Sequence, residues 1–139
     1  MVTVKGGCVL INTDTKEIAV VYRPSLEDYS FPKGHVEPGE TVQEGAIREC
    51  NEETARDVEL IRDDVFCSQT YTTPSGEEVE VRYFLAKDLG EYKGTIKEED
   101  REICKWVPFD EVEDILTYES NKKMWREIKD LVAEELNIR

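Results

Sequence analysis

The stretch GHVEPGETVQEGAIRECNEE, residues 34–53, decides how this sequence is interpreted. It ends with Glu49, Glu52 and Glu53, whose i, i+3 and i+4 spacing would place three carboxylates on one face of a helix. Like charges at this spacing destabilise a helix by roughly a few tenths of a kcal/mol per pair. A helix that concentrates them therefore needs a solvated surface or a bound positive charge to offset the repulsion.

A helix is predicted to begin within this stretch. Thr41 followed three residues later by Glu44 is a capping-box signature, and good helix formers continue to about Thr54. Two interpretations of the acidic face are open at this point. The carboxylates form a solvated surface with Arg48 and lysines as partners, or they bind a hard divalent cation. Several carboxylate oxygens suit Mg²⁺ or Mn²⁺ better than zinc.

The surrounding pattern resembles the signature of the Nudix hydrolases, which reads Gly, five residues, Glu, seven residues, then Arg-Glu-apolar-any-Glu-Glu-any-Gly-apolar. Gly34, Glu40 and the run from Arg48 to Glu53 fall at these spacings. The neighbouring segments are also similar to the family, with GGCVLI and FPKGHVEPGE before the helix and KWVPFDEV after it. The resemblance implies an α/β fold, an α/β/α sandwich with a mixed β-sheet between helices, in which residues 1–139 form a single domain.

Two positions depart from the signature. Ala55 stands where the family usually has glycine, and Arg56 stands where it has an apolar residue. The glycine normally ends the helix because it adopts positive φ at little cost, whereas alanine would lose roughly 1 kcal/mol in that conformation. We therefore expect the helix to continue toward Asp57, with Val58 supplying the missing apolar contact.

The resemblance also implies a set of metal ligands. It implies that one or more Mg²⁺ or Mn²⁺ ions are held by the backbone carbonyl of Gly34 and by the side chains of Glu49, Glu52 and Glu53. Arg48 would pair with Glu40 or with its neighbours and hold the carboxylates in place. This chemistry suits a diphosphate, because a bound cation neutralises the phosphates and lowers the pKa of a coordinated water.

The catalytic base stays open between the helix and a later loop. On the helix the candidates are Glu52 and Glu49, with Arg48 supporting them. The loop KEEDRE offers further acids, of which Asp100 or Glu99 is expected as an additional metal ligand, unless the loop is simply a solvated acidic segment.

Substrate contacts are expected from a few basic side chains and from aromatic side chains. The candidates are Lys33, His35, Arg23, Tyr71 and Tyr83, each of which also has a plainer interpretation as a surface, ion-paired or core residue. Because successive strand residues face opposite sides, Tyr83 and Phe84 are not expected both to face the core. One of the two is therefore available to stack on a base.

Within the family, FPKGHVEPGE followed by CSQTYTT and VRYFLAK looks most like the dinucleoside polyphosphate hydrolases, whose substrates include diadenosine tetraphosphate. ADP-ribose pyrophosphatases and hydrolases of oxidised nucleoside triphosphates are alternatives. A Nudix-fold module that binds a nucleotide without hydrolysing it is a third. Loss of the helix glutamates would favour that module, but all three are present.

Composition limits the partners. A formal net charge of −14 over 139 residues opposes binding to nucleic-acid phosphates or anionic membranes, so we expect a small nucleotide as the partner. The sequence contains neither a membrane-spanning apolar run nor a secretory signal, which predicts a cytoplasmic protein, monomeric or homodimeric.

Local patterns predict the remaining elements. Residues 2–23 are expected to form a hairpin, with a short extended piece at 29–31. Residues 58–73 and 77–89 are predicted to form a second hairpin around a PSG turn, with a strand at 103–109 beyond it. Asp110 with Glu113 predicts a cap for a short helix, and an amphipathic helix is predicted from about Ser120.

Overall fold

The computed structural model describes residues 2–95 and 102–138 and shows one mixed β-sheet with helices on both faces. The described strands are β1 (Val2–Asn12), β2 (Glu17–Arg23), β3 (Asp28–Ser30), β4 (Lys33–His35), β5 (Arg56–Leu60), β6 (Cys67–Thr72), β7 (Glu78–Glu91) and β8 (Ile103–Pro108). The described helices are α1 (Val42–Thr54), α2 (Val112–Ile115) and α3 (Glu119–Glu135), and a 3₁₀ turn at Phe109–Glu111 precedes α2. The predicted α/β/α arrangement is confirmed.

The centre of the sheet is a long parallel pair formed by β1 and β7, in register from Val2 opposite Glu78 to Ile11 opposite Lys87. The strand order across the sheet is β3-β2-β1-β7-β5. Strand β4 pairs with β1, β6 pairs with β7, and β8 pairs with β2. The predicted hairpins at β1–β2 and β6–β7 are confirmed, whereas the pairing of β1 with β7 joins segments that are distant in sequence.

Both faces of the central strands are buried. On one face Val9 and Tyr83 pack in the core that α3 covers, and on the other Cys8 and Phe84 pack in the core that α1 covers. Tyr83 is 0% exposed and Phe84 is 1% exposed. The expectation that only one of these two aromatic residues would be buried was wrong, because a strand covered on both sides buries both sets of alternating side chains.

Helix α1 lies unusually close to β1 because Gly6 faces it. A Cβ atom at Gly6 would lie 2.8 Å from the carbonyl oxygen of Val42 and 2.9 Å from the amide nitrogen of Ala46. The glycine thereby lets the helix backbone rest on the strand, and β4, which pairs with β1 at Lys5–Gly7, is brought beside the same helix.

The end of α1 differs from the prediction. The capping box at Thr41 and Glu44 is confirmed at its start, but the helix ends at Thr54 instead of continuing toward Asp57. Ala55 adopts the left-handed conformation, with φ 59° and ψ 27°, and its amide donates to the carbonyl oxygen of Asn51. Strand β5 begins at the next residue, so sheet pairing determines the helix end despite the missing glycine.

Other local predictions were also revised. The strand predicted over residues 58–73 is two strands, β5 and β6, which pair with different halves of β7. The short strand β4 around Lys33 was not predicted. Asp110 caps no helix by its side chain, because a 3₁₀ turn leads into α2. Among the described residues, no helix is long and apolar enough to cross a bilayer.

The conformation of Ala55 gives a stability prediction. The substitution Ala55→Gly should raise the free energy of unfolding by about 1 kcal/mol, because glycine adopts positive φ without the Cβ clash that alanine has. Chemical denaturation of the two proteins measures the difference. The matched control is Ala133→Gly within α3, which should lower the free energy of unfolding by about 1 kcal/mol. Destabilisation of both variants would contradict a strained Ala55.

Candidate metal and substrate site

The carboxylates of α1 face strand β4. Gly34 lies in the middle of β4, and a Cβ atom there would lie 2.2 Å from the Cδ atom of Glu49. Any larger residue at position 34 would therefore displace the Glu49 carboxylate. The close approach places the backbone of Gly34 and the side chain of Glu49 together, as the resemblance implied for two ligands of one metal ion.

Arg48 connects the acidic residues around this contact. Its Nε atom donates to Glu40 Oε2 at 2.8 Å, and its Nη1 atom donates to Glu49 Oε1 at 3.0 Å and to Glu52 Oε2 at 3.4 Å. Its Nη2 atom donates to the backbone carbonyl oxygen of His35 at 2.8 Å. The hydrogen bond from Arg48 also holds the pKa of Glu40 below its ordinary value. One guanidinium thus ties α1 to the loop that precedes it.

Glu53 lies on the side of α1 nearest Lys33. Its Oε1 atom accepts a hydrogen bond from the backbone amide of Lys33 at 3.2 Å. Burial, followed by the negative charge of Glu49, raises the pKa of the Glu53 carboxyl well above its ordinary value. Burial also lowers the pKa of the Lys33 ammonium. Negative charge at Glu53 is therefore costly in the absence of a further positive charge.

The donor set at this position fits a hard divalent cation. Carboxylate oxygens from Glu49 and Glu53 and the nearby backbone of Gly34 are the ligand types that Mg²⁺ and Mn²⁺ prefer. A cation would also relieve the repulsion between the two glutamates. Among the described residues, however, no three His, Cys, Asp or Glu side chains are already grouped so as to hold a metal ion, and Arg48 holds Glu49 and Glu52.

A cavity of about 530 Å³ lies on the face of the sheet that α3 covers, and its lining includes Lys33, whose backbone amide binds Glu53. Its volume lies within the range of about 300–1,000 Å³ typical of small-molecule sites. It is lined by Lys5, Arg23, Leu26, Ser30, Lys33, Gln69, Tyr71, Thr72, Thr73, Pro74, Tyr118, Ser120 and Asn121. Among the described residues, this lining contains three cationic side chains and no carboxylate, although the chain as a whole is strongly acidic. The lining therefore favours an anionic ligand.

The structure brings some of the predicted substrate-binding residues together and separates others. Lys33, Tyr71 and Arg23 all line the cavity. His35 is exposed and lies outside the cavity lining, although its backbone carbonyl binds Arg48. Tyr83 is fully buried, with its ring edge-on to another aromatic ring 6.0 Å away, so the expectation that it stacks on a base was wrong.

The predicted loop acids have no structural test. Asp100 and its alternative Glu99 lie outside the described residues. Their expected role as an additional metal ligand stays a prediction.

Several residues of the cavity were not predicted from the sequence. Lys5 was read only as part of a strand, yet it points to the α3 side and its ammonium lies 3.4 Å from the hydroxyl oxygen of Tyr71. Tyr118 and Asn121 come from the start of α3, and Asn121 donates to Gln69 Oε1 at 3.1 Å. Strand alternation could have placed Lys5 beside Gly7 on one face, but no local signal indicates that α3 begins at this cavity.

Comparison with known proteins identifies the family. A NUDIX domain model matches residues 2–130, and the chain belongs to this family. It is 37% identical over 112 residues to an 8-oxo-(d)GTP phosphatase of Mycolicibacterium smegmatis, covering 81% of this chain and 33% of that protein. It is 33% identical over 116 residues to the putative mutator protein MutT4 of Mycobacterium tuberculosis, covering 78% of this chain and 43% of that protein. The chain thus spans less than half the length of these curated relatives.

Solved structures share the fold along nearly the whole chain. The Ap4A hydrolase of C. elegans superposes with a TM-score of 0.70 at 25% identity, covering 96% of this chain and 100% of that one. The dihydroneopterin triphosphate pyrophosphohydrolase of E. coli superposes with a TM-score of 0.69 at 21% identity, covering 92% and 95%. The second similarity supports the fold alone. Nudix hydrolases generally use divalent metal ions.

The buried charge of Glu53 gives a prediction about metal dependence. In protein treated with EDTA, Glu53→Gln should raise the free energy of unfolding by up to about 1 kcal/mol, because the amide keeps an acceptor for the Lys33 amide without a buried charge. Addition of Mg²⁺ should raise the melting temperature of the unsubstituted protein but not of this variant.

The matched control is Glu59→Gln, an exposed glutamate on β5. This variant should keep the Mg²⁺-dependent rise in melting temperature. An equal rise in Glu53→Gln would remove Glu53 from the metal site.

Proposed function

We propose that this domain is a Mg²⁺- or Mn²⁺-dependent pyrophosphohydrolase that cleaves a diphosphate linkage in a nucleotide. The observation that carries the proposal is the position of β4. Glu49 contacts it at Gly34, Glu53 binds its amide at Lys33, and the side chain of Lys33 lines the cavity on the α3 side. A phosphate chain lying across this strand would meet the metal ion that the carboxylates hold at one end and the cationic side chains of the cavity at the other.

The proposed metal ligands are Glu49, Glu52, Glu53 and the Gly34 carbonyl. When bound, a divalent cation would neutralise phosphate oxygens and lower the pKa of a coordinated water. Arg48 would hold the carboxylates in position, since it already binds both Glu49 and Glu52. Lys33 would contact a phosphate oxygen through its ammonium group. The base that accepts the proton from the attacking water is proposed among Glu52, Glu49 and the acids of residues 97–102.

The cavity would hold the nucleoside and the rest of the phosphate chain. Lys5, Arg23 and Lys33 offer positive charge for more phosphates than a cation held by the glutamates would contact by itself. Tyr71 and Tyr118 offer aromatic surface for a base. This combination favours a substrate with three or more phosphates, and diadenosine tetraphosphate is the first candidate, supported by the structural similarity to an Ap4A hydrolase.

A second candidate is a nucleoside triphosphate, including an oxidised one. It is favoured by the 37% identity to an 8-oxo-(d)GTP phosphatase and by the amide pair of Asn121 and Gln69, which lines the cavity beside the aromatic residues. ADP-ribose, with two phosphates, would leave part of the cationic lining unused. A non-catalytic nucleotide-binding module is disfavoured because all three helix glutamates are retained.

The experiment is a hydrolysis panel of diadenosine tetraphosphate, 8-oxo-dGTP, dGTP, ATP, ADP-ribose and AMP, each with Mg²⁺ and with EDTA. We expect Mg²⁺-dependent turnover of compounds with three or more phosphates and none of AMP. Glu52→Gln should lower kcat by about 10²- to 10⁴-fold, whereas Glu59→Gln should leave it unchanged. Running the reaction in ¹⁸O-water would identify the attacked phosphorus from the labelled product.

Turnover of no compound by folded, Mg²⁺-loaded protein would overturn the hydrolase proposal. Near-normal turnover by Glu52→Gln would overturn the assignment of this residue.

A further inference from the structure

Asp28 is a buried carboxylate that accepts hydrogen bonds from two side chains of the cavity lining. It is 1% exposed, although it lies at the start of a three-residue strand near the protein surface. It accepts hydrogen bonds from Nε and Nη2 of Arg23 and from the hydroxyl of Tyr118. Both partners line the cavity, whereas Asp28 does not.

These contacts join two walls of the cavity that are far apart in sequence. Arg23 and Asp28 are opposite each other in the β2–β3 pair and close the turn that carries Leu26 into the cavity lining. Tyr118 immediately precedes α3, which contributes Asn121 to the other wall. Next to Asp28, the amide of Tyr29 donates to the hydroxyl of Thr117, and the amide of Thr117 donates to the carbonyl oxygen of Tyr29, so the two walls are also joined beside Asp28.

The geometry determines what the two partners offer to a ligand. Asp28 binds Nε and Nη2 of the Arg23 guanidinium, and in the described part of the chain Nη1 donates to no protein acceptor. A bidentate carboxylate fixes the plane of a guanidinium. Arg23, which lines the cavity, would therefore be held in one orientation at the cavity wall. The hydroxyl of Tyr118 donates to Asp28, which restricts the orientation of the ring, and the residue as a whole is 44% exposed.

We propose that Asp28 is a positioning residue for substrate binding, which orients Arg23 toward a phosphate and Tyr118 toward the base of a nucleotide. The inference rests on the proposed function, since it assigns a role within the same site. Asp28 would touch no substrate atom. Its contribution would be to preorganise two groups before the nucleotide binds, so that less conformational freedom is lost on binding.

A second arginine–aspartate pair provides a matched control. Arg56 donates through Nε and Nη2 to the two carboxylate oxygens of Asp88, each at 2.7 Å, and the Asp88 side chain is 7% exposed. Neither residue lines the cavity. The two pairs therefore share their chemistry and burial and differ in location, so that Asp88→Asn reports the structural cost of losing such a pair.

The test compares Asp28→Asn with Asp88→Asn in steady-state kinetics on the best nucleotide of the panel. Asp28→Asn should raise KM by about ten- to hundredfold, the loss expected for charge-assisted hydrogen bonds, with kcat within about threefold of the unsubstituted protein. Asp88→Asn should leave both KM and kcat unchanged, while it lowers the melting temperature by about as much as Asp28→Asn does. Tyr118→Phe, which keeps the exposed ring and should fold normally, is expected to raise KM several-fold.

A double substitution tests the coupling directly. Lysine cannot reproduce the bidentate geometry of Arg23, so Arg23→Lys removes the same interaction as Asp28→Asn. The fold increase in KM of the double variant should therefore be smaller than the product of the fold increases of the two single variants. Unchanged KM in folded Asp28→Asn, or equal changes in the two aspartate variants, would overturn the inference. If Asp28→Asn does not fold, unchanged KM in Tyr118→Phe would do the same.

Binding of inorganic tripolyphosphate separates this inference from the proposed function. If the protein hydrolyses no nucleotide, calorimetry with tripolyphosphate and Mg²⁺ is decisive. Weaker binding to Asp28→Asn than to Asp88→Asn would support positioning of Arg23 without hydrolysis. No binding of tripolyphosphate to the unsubstituted protein would overturn both the anion site and the role of Asp28.

Discussion

The hydrogen bonds of Arg48 are the interaction on which the candidate site depends. The acidic face of α1 is unfavourable by itself, because Glu49 and Glu52 repel each other at helical spacing. Arg48 binds both of them and also Glu40, which belongs to the loop before the helix, and the carbonyl oxygen of His35 on β4. One side chain thereby compensates several negative charges and joins three segments. These bonds lie largely out of solvent, since the Arg48 side chain is 24% exposed, and they are screened less by salt than surface pairs.

Strand β4 links the two halves of the site. It is only three residues long, yet Gly34 faces the α1 glutamates while the side chain of Lys33 lines the cavity on the α3 side. Alternation along a strand explains this division, because neighbouring side chains face opposite sides of a sheet. The carboxylates and the cationic cavity thus act on the two ends of one bound phosphate chain in the proposed function. An acidic protein concentrates positive charge where an anionic substrate would bind.

Much of the fold was predictable from local patterns, and the failures have specific physical causes. The capping box at Thr41 identifies the start of α1, but the end at Thr54 is set by the pairing of β5 with β7, which places Ala55 in a conformation that its own preference opposes. The burial of both Tyr83 and Phe84 requires knowledge that helices cover each face of β7. Propensity describes a residue and its neighbours, whereas these outcomes depend on contacts with segments that are remote in sequence.

The site was predictable to the extent that it is encoded in one segment. Gly34 and the α1 glutamates lie within twenty residues of sequence, so a fixed spacing reveals them. The cavity is built from β1, the β2–β3 turn, β6 and the start of α3, and its residues have no common spacing. Lys5 and Tyr118 in its lining, and Asp28 behind it, were missed for that reason. Their roles follow from the contacts between elements, which appear only in the folded protein.

We propose that the carboxylates around Gly34 form a divalent cation site. Anomalous diffraction from crystals soaked in MnCl₂ tests it most directly, because the manganese signal locates the ion without reference to activity. We expect an anomalous peak within coordination distance, about 2.0–2.6 Å, of the Gly34 carbonyl oxygen and of carboxylate oxygens of Glu49 and Glu53. Peaks confined to other acidic surfaces, with none beside Gly34 in crystals that diffract well, would contradict it.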